Sequence, residues 1–230
     1  MITRENPNGR QRGNVASEPD ERSQIVGNTE YRYSSNWIKK LETELHWRLY
    51  WKQQKLLEPF LGDSDKIQEL GVGSGFTANY LQSKGHEVVT FDIDPEKKPD
   101  VVGNLVTQEF SDTYDHILSF EVFEHIPYED FLQVLRKLRP VCRKSLCLSV
   151  PFGKRELFEL KFRFPKVGTR KFSIKVGKKR IIERHHFWEL DFGEFTRTRF
   201  LRDIEDSGYE IANAEEYQLR YFVSCVPKDI

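Results

Sequence analysis

Apolar side chains along this chain follow two periods, and the switches between them mark out its elements. Between residues 37 and 61, Ile38, Leu41, Leu45, Leu49, Leu56 and Leu57 recur at helical spacing, with Trp37, Trp47 and Trp51 around the same cylinder. That pattern predicts one long helix or two. Short apolar runs then alternate with helical stretches. Strands are expected at residues 66–70, 86–92, 100–105, 115–120 and 145–150, and helices at 74–84 and 129–138. Gly85 suits the left-handed residue after the first of these helices, and Pro140 stops the second. A further helix is expected over 194–207, ended by Gly208, followed by strands at 209–215 and 218–226 around a tight turn. Strands alternating with helices imply a parallel sheet with crossover helices.

Residues 1–30 break this regularity. They are rich in Asn, Gly, Arg, Glu and Ser, with almost no large apolar side chains. They are expected to form a mobile tail, since they bury too little to offset ordering entropy. Residues 31–230 suit one domain with a full core. The 36 basic and 36 acidic residues give no formal net charge, so the molecule as a whole exerts no long-range pull on nucleic acid or acidic lipid. Cys142, Cys147 and Cys225 are too sparse for a zinc site and are expected to be small core side chains in a reducing compartment. No apolar run reaches the length of about 18 residues that a transmembrane helix needs, and the polar start lacks the apolar stretch of a signal peptide. A cytoplasmic protein without a membrane span is expected.

Candidate chemistry begins where the first predicted strand ends, in Glu69-Leu70-Gly71-Val72-Gly73-Ser74-Gly75. Glycines between a strand and a helix let bare backbone approach a ligand. A dinucleotide loop places its third glycine one position later, where Phe76 stands here. This disfavours a nicotinamide enzyme. The G-x-G-x-G spacing with an acid two residues before it resembles motif I of class I S-adenosylmethionine-dependent methyltransferases. Asp92, ending the second strand, places a carboxylate suited to two ribose hydroxyls, while Asp94 is expected to be a turn residue before Pro95. Downstream, Asp115 to Ile126 resembles the fourth strand and "EVLEHI" segment of the methyltransferase group called type 11. Leu138-Arg139-Pro140, Ser149-Val150-Pro151 and Gly208-Tyr209 are similar to later motifs of that group, in order, over residues 56–226.

The resemblance implies a Rossmann-like three-layer α/β/α fold with a mostly parallel seven-stranded sheet and an antiparallel last strand. It implies S-adenosylmethionine as cofactor and S-adenosylhomocysteine as product. The residues assigned to the cofactor are Glu69, Gly71, Gly73, Gly75, Asp92, Asn104, Leu105 and Phe120. Asn104 stands where the group often has an acid, and its side-chain oxygen can still accept from an adenine amino group.

After the fourth strand, His125 and Glu121 are the candidate catalytic groups, His125 as a base because its ordinary pKa lies near neutrality. A local packing or capping role for the histidine is the competing reading. The pattern E-x-x-E-H also resembles magnesium-dependent O-methyltransferases that act on quinone precursors and on small-RNA 3′ ends. That likeness implies an alternative in which Glu121, Glu124, His125 and His186 hold a divalent metal ion.

Residues 152–184 hold twelve Lys or Arg against three Glu, with five phenylalanines interleaved. They are expected to be an insertion that covers substrate, with a hairpin built from strands at 169–176 and 180–184. Its charge suits an anionic partner: a phosphorylated or carboxylated small molecule, a lipid headgroup or RNA phosphates. A solvated ribbon whose charge balances acids elsewhere is the plainer reading. The aromatics are expected to pack on the N-terminal helix, whose tryptophans form either the opposite wall of the acceptor site or plain helix packing. The favoured activity is methyl transfer to a small molecule, most plausibly at oxygen. Its rivals are a metal-assisted RNA methyltransferase and a non-catalytic scaffold that serves a partner subunit.

Overall fold

The computed structural model describes residues 22–33, 38, 42–164, 168–177 and 185–229. In chain order these form β1 (Arg22–Val26), β2 (Thr29–Tyr33), α1 (Glu44–Leu57), β3 (Lys66–Leu70), α2 (Phe76–Ser83), β4 (Glu87–Asp92), β5 (Val101–Val102) and β6 (Tyr114–Phe120). They continue with α3 (Tyr128–Leu138), β7 (Cys142–Pro151), β8 (Lys154–Phe164), β9 (Gly168–Gly177), α4 (Arg197–Asp206), β10 (Tyr209–Tyr217) and β11 (Arg220–Pro227).

Seven strands form one sheet in the order β10-β11-β7-β6-β3-β4-β5. The pairs among β7, β6, β3, β4 and β5 are parallel, and β11 runs antiparallel to both β7 and β10. The chain reverses direction across β3, so β4 and β6 flank it and their carboxyl ends open a crevice between them. Leu49, Leu56 and Leu57 of α1 and Ala78 and Leu81 of α2 bury one sheet face with Ile67, Leu118 and Phe222. Phe131, Leu135 and Leu138 of α3 and Phe200 and Ile204 of α4 bury the other with Ile117, Leu148 and Val223. Successive strand residues thus serve opposite cores, as the period of two requires. The architecture is the expected three-layer α/β/α sandwich. The three cysteines are free and buried, as expected.

At the amino ends of the strands, Asp65, His116 and Ser145 form a buried chain. His116 Nε2 lies 2.8 Å from Asp65 Oδ2, and its Nδ1 lies 2.7 Å from Ser145 Oγ. A neutral ring that donates to the carboxylate and accepts from the hydroxyl satisfies all three groups. Ser145 is fully buried, so this array ties strands together and meets no substrate.

Several expectations change. Residues 22–30 belong to no tail: β1 and β2 form a hairpin turning at Gly27 and Asn28, while residues 1–21 lie outside the described residues. The third strand is only Val101–Val102, because Asp100 turns back to accept the N–H and hydroxyl of Thr90 and Asn104 accepts the N–H of Val106. In the insertion, residues 168–177 pair with the strand before them, Lys154–Phe164. The alternation of Phe158, Leu160, Phe162 and Phe164 was the available signal for that first strand. Residues 178–184, expected to hold the second strand, lie outside the described residues.

Candidate active site

β3 delivers Glu69 and Leu70 to a loop that turns into α2. Gly71, Gly73 and Gly75 hold φ angles of 80°, 55° and 75°, open to glycine without steric cost. A Cβ at Gly71 would overlap Cγ2 of Val122, so the loop lies directly against the segment after β6. A Cβ at Gly73 would meet nothing within 4 Å. Bare backbone there faces open space.

Asp92 ends β4 with its carboxylate turned to this loop. Oδ2 accepts the N–H of Val72 at 2.9 Å, and Oδ1 accepts that of Asp94 at 2.9 Å. The Lys97 ammonium donates to both oxygens, at 3.0 and 3.2 Å. Asp94 is a turn residue as expected, accepting the N–H of Glu96. Glu69 is buried, and its Oε2 has no partner among the described residues. Burial, with Asp92 adding to it, pushes its carboxyl up to about 8 against the Ala78 N–H that favours the charge. Leu105 is buried and Phe120 partly so.

The amide nitrogen of Asn104 donates to Gln24 Oε1 at 3.2 Å. Arg22 pairs with Asp94 at 2.6 Å and with Glu96 at 2.9 Å. The β1–β2 hairpin therefore lies over the residues assigned to the cofactor. Sequence reasoning missed Arg22, Gln24 and Lys97. A Gly-Asn turn between residues of alternating polarity was the one local signal for the hairpin.

On the other side of the crevice, Glu121 leaves β6 at φ 57°, a left-handed conformation costing a non-glycine residue about 1–3 kcal/mol. Its Oε1 accepts the Ser149 hydroxyl at 3.0 Å, and its Oε2 lies 2.7 Å from Arg220 Nε. Glu124 and His125 follow in a short 3-10 turn. Burial, then repulsion from Glu121, pushes the Glu124 carboxyl well above its ordinary value, and its Oε2 has no partner among the described residues. His125 donates from Nδ1 to the carbonyl of His185 at 3.1 Å. Burial and the neighbouring His186 hold its imidazole down to about 3. The ring is thus neutral and a weak proton acceptor, which runs against its expected role as base.

His186 meets His125 edge-on at 5.0 Å between centroids, and its Nδ1 lies 3.0 Å from the buried carboxylate of Glu189. One ligand atom each from Glu124, His125 and His186 lies within 4.8 Å of the others. The expected metal quartet is corrected to this trio, because Ser149 and Arg220 engage Glu121 instead. A cavity of about 360 Å³ opens beside the trio, lined by Asn28, Thr29, Glu30 and Arg32 of the hairpin and by His185, His186 and Phe187. Trp47 and Trp51 line a different groove with Tyr50, Phe76 and Tyr80, where the Tyr50 ring stacks on Phe76 at 4.4 Å. Trp37 lies outside the described residues.

Residues 45–156 match the family model described as a methyltransferase domain. Among solved structures, the fold is similar to the methyltransferase in a complex with the Haloferax volcanii Trm112 methyltransferase activator, with TM-score 0.58 and 13% identity over 85% of this chain and 95% of that one. It is also similar to the Burkholderia thailandensis 1,6-didemethyltoxoflavin-N1-methyltransferase, with TM-score 0.53 and 12% identity over 78% of each chain. A third likeness is to the glycopeptide N-methyltransferase MtfA complexed with S-adenosylhomocysteine, with TM-score 0.52 and 12% identity over 76% and 88%. No curated protein sequence matches the chain. The sheet order, the antiparallel β11 and the matched residues give this chain the fold of the class I S-adenosylmethionine-dependent methyltransferases. The match does not single out the type 11 group within that class.

The chain's own residues fit the cofactor of this class. The loop offers bare backbone at Gly73 and the orphaned buried oxygen of Glu69, and Asp92 closes on the same loop. S-adenosylmethionine supplies a methyl group already activated by a sulfonium. What remains for the protein is to align the acceptor and manage its proton.

Proposed function

We propose that this chain methylates a small-molecule acceptor, at a hydroxyl oxygen, in the cavity between the β1–β2 hairpin and His186. The observation that carries this reading is the size and lining of that cavity. At about 360 Å³ it suits a small molecule, and His186 stands at its wall as a polar group that can meet a hydroxyl, with ligand atoms of Glu124 and His125 within 4.8 Å of its own. In this reading Gly71, Gly73, Gly75, Glu69, Asp92, Asn104, Leu105 and Phe120 hold the cofactor. The 1,6-didemethyltoxoflavin and glycopeptide methyltransferases of similar fold act at nitrogen by name, so amine acceptors belong in the same test.

A second reading rests on the Glu124–His125–His186 trio. Two imidazoles and a carboxyl group with one oxygen unpartnered among the described residues are a donor set for a divalent cation. Glu189 orients His186 from behind, as outer carboxylates do for metal-ligating histidines. Such an ion lowers the pKa of a bound acceptor hydroxyl, which the poorly basic His125 does not do.

The test begins with calorimetry against S-adenosylhomocysteine, followed by a panel of hydroxyl and amine acceptors read by homocysteine release. Magnesium or manganese is titrated against a chelator in parallel. Release with hydroxyl acceptors alone supports the first reading, and its loss in chelator adds the second. Cofactor binding with no release from any acceptor returns the protein to the scaffold alternative. Release that is unchanged in excess chelator removes the metal.

A further inference from the structure

β8 and β9 form a two-stranded sheet of their own, rooted immediately after β7. The register sets Phe158 opposite Ile174 and Leu160 opposite Phe172, with Val176 two residues further along β9. Paired and alternate positions share a face, so these five side chains form one apolar stripe. All are exposed, Phe172 at 57%, Ile174 at 48% and Phe158 at 46%. A two-stranded ribbon is only marginally stable in water unless its apolar face is covered. A contiguous stripe of this kind marks an interaction surface.

Charge selects the partner. Residues 152–184 carry twelve basic and three acidic side chains in a chain of zero net charge, and Arg163 and Arg170 are exposed on the ribbon. A second copy would bring like charge against like charge. Single-stranded nucleic acid would meet the charge and stack on phenylalanine, but it offers nothing to Leu160, Ile174 and Val176. An anionic bilayer satisfies both features, taking the apolar stripe at its acyl boundary and the cations at its headgroups.

We propose that the β8–β9 ribbon docks on an anionic lipid surface. The root of the ribbon is fixed: Gly153 donates to the Leu190 carbonyl at 2.6 Å, and a Cβ there would stand 2.7 Å from that of Phe192. This pinch joins the ribbon to the segment after His186 and Glu189, at the carboxyl end of β7. A docked ribbon therefore brings the proposed acceptor cavity to the lipid surface.

The experiment is sedimentation of the full chain with vesicles of phosphatidylcholine alone or with about 30 mol% phosphatidylglycerol. Anionic vesicles are expected to hold at least about tenfold more protein, less so at high salt. Phe158→Ser combined with Phe172→Ser is expected to cut that binding by about tenfold or more. Both substitutions lie on exposed positions, and unchanged S-adenosylhomocysteine binding reports that the variant is folded. Equal binding to neutral vesicles, or full binding by the double variant, overturns the proposal. So does stripe-dependent binding to a polyuridine oligonucleotide without vesicle binding, or a dimer that the double variant abolishes. The vesicle result does not depend on turnover, so failure of the methyltransferase assay leaves it standing.

Discussion

Gly71 and Val122 touch so closely that a Cβ on the first would overlap Cγ2 of the second. The glycine loop after β3 and the turn carrying Glu124 and His125 are thereby fitted together, one on each side of the crevice. Neither can shift without the other.

Gly71→Ala and Gly73→Ala should separate folding from binding. Gly71→Ala adds both overlap and left-handed strain, and is expected to cost roughly 3 kcal/mol or more. Gly73→Ala meets open space and bears only the backbone strain of about 1–2 kcal/mol, a fall in Tm of roughly 2–8 °C. Its methyl group nevertheless enters the space assigned to cofactor. Thermal melting and S-adenosylhomocysteine calorimetry on both variants check this; full affinity in Gly73→Ala would show that the loop does not face the ligand.

Asp92→Asn keeps the shape but removes the charge that Lys97 and, in the proposed site, the ribose hydroxyls share. Charge-assisted hydrogen bonds are each worth about 1.5–3 kcal/mol. Affinity for S-adenosylhomocysteine is expected to fall by about 10- to 100-fold, with a smaller loss of Tm. An unchanged Kd in calorimetry would place the sugar elsewhere.

Legibility followed the range of the forces involved. β3 occupies the residues its apolar period predicts, and β4, β6 and α3 differ by one residue at an end, because each buries a local repeating pattern. The glycines and Asp92 were visible because backbone freedom and charge at a strand end are local properties. The β1–β2 hairpin was not, since it is held by Arg22 on Asp94 and Gln24 on Asn104, about 70 to 80 positions away in sequence. A longer separation still hid the pairing of Glu121 with Arg220, which took the glutamate out of the expected metal set. No spacing rule reports that burial and His186 would strip His125 of its basicity.

Stability should respond to acid through His116. Burial, the largest cause, holds its imidazole below the ordinary value despite Asp65, so the folded state binds that proton more weakly than the unfolded chain. Its contribution is present above the unfolded pKa of about 6.5 and is lost as pH falls below it. Burial would raise Asp65, but Lys144, the Gly62 N–H and His116 outweigh it and hold it at about 2, so its share is lost between roughly pH 4 and 2. Glu69 acts oppositely, losing stability as pH rises from about 4.5 toward 8. The clean observable is therefore a difference. The gap in urea stability between wild type and His116→Gln should be constant above about pH 7 and narrow below about 6.5. A gap that widens in acid would mean the ring is charged in the fold.

Arg22→Ala releases one end of the hairpin that lies over Asn104. Because the ion pairs are partly exposed, Tm should move by only a few degrees. Dissociation of S-adenosylhomocysteine should quicken several-fold, as loss of a covering element acts mainly on off-rates. Stopped-flow displacement measures it, and an unaltered off-rate would mean the hairpin does not retain cofactor.

The protruding ribbon has one more consequence. With zero overall charge and a surplus of cations in residues 152–184, the remaining residues carry an equal negative surplus, and the molecule is an electric dipole. A charged plane exerts no net pull on a neutral body at long range, yet it turns a dipole as it approaches. Near an anionic sheet this protein would rotate before it touched, and first contact would be oriented and not random.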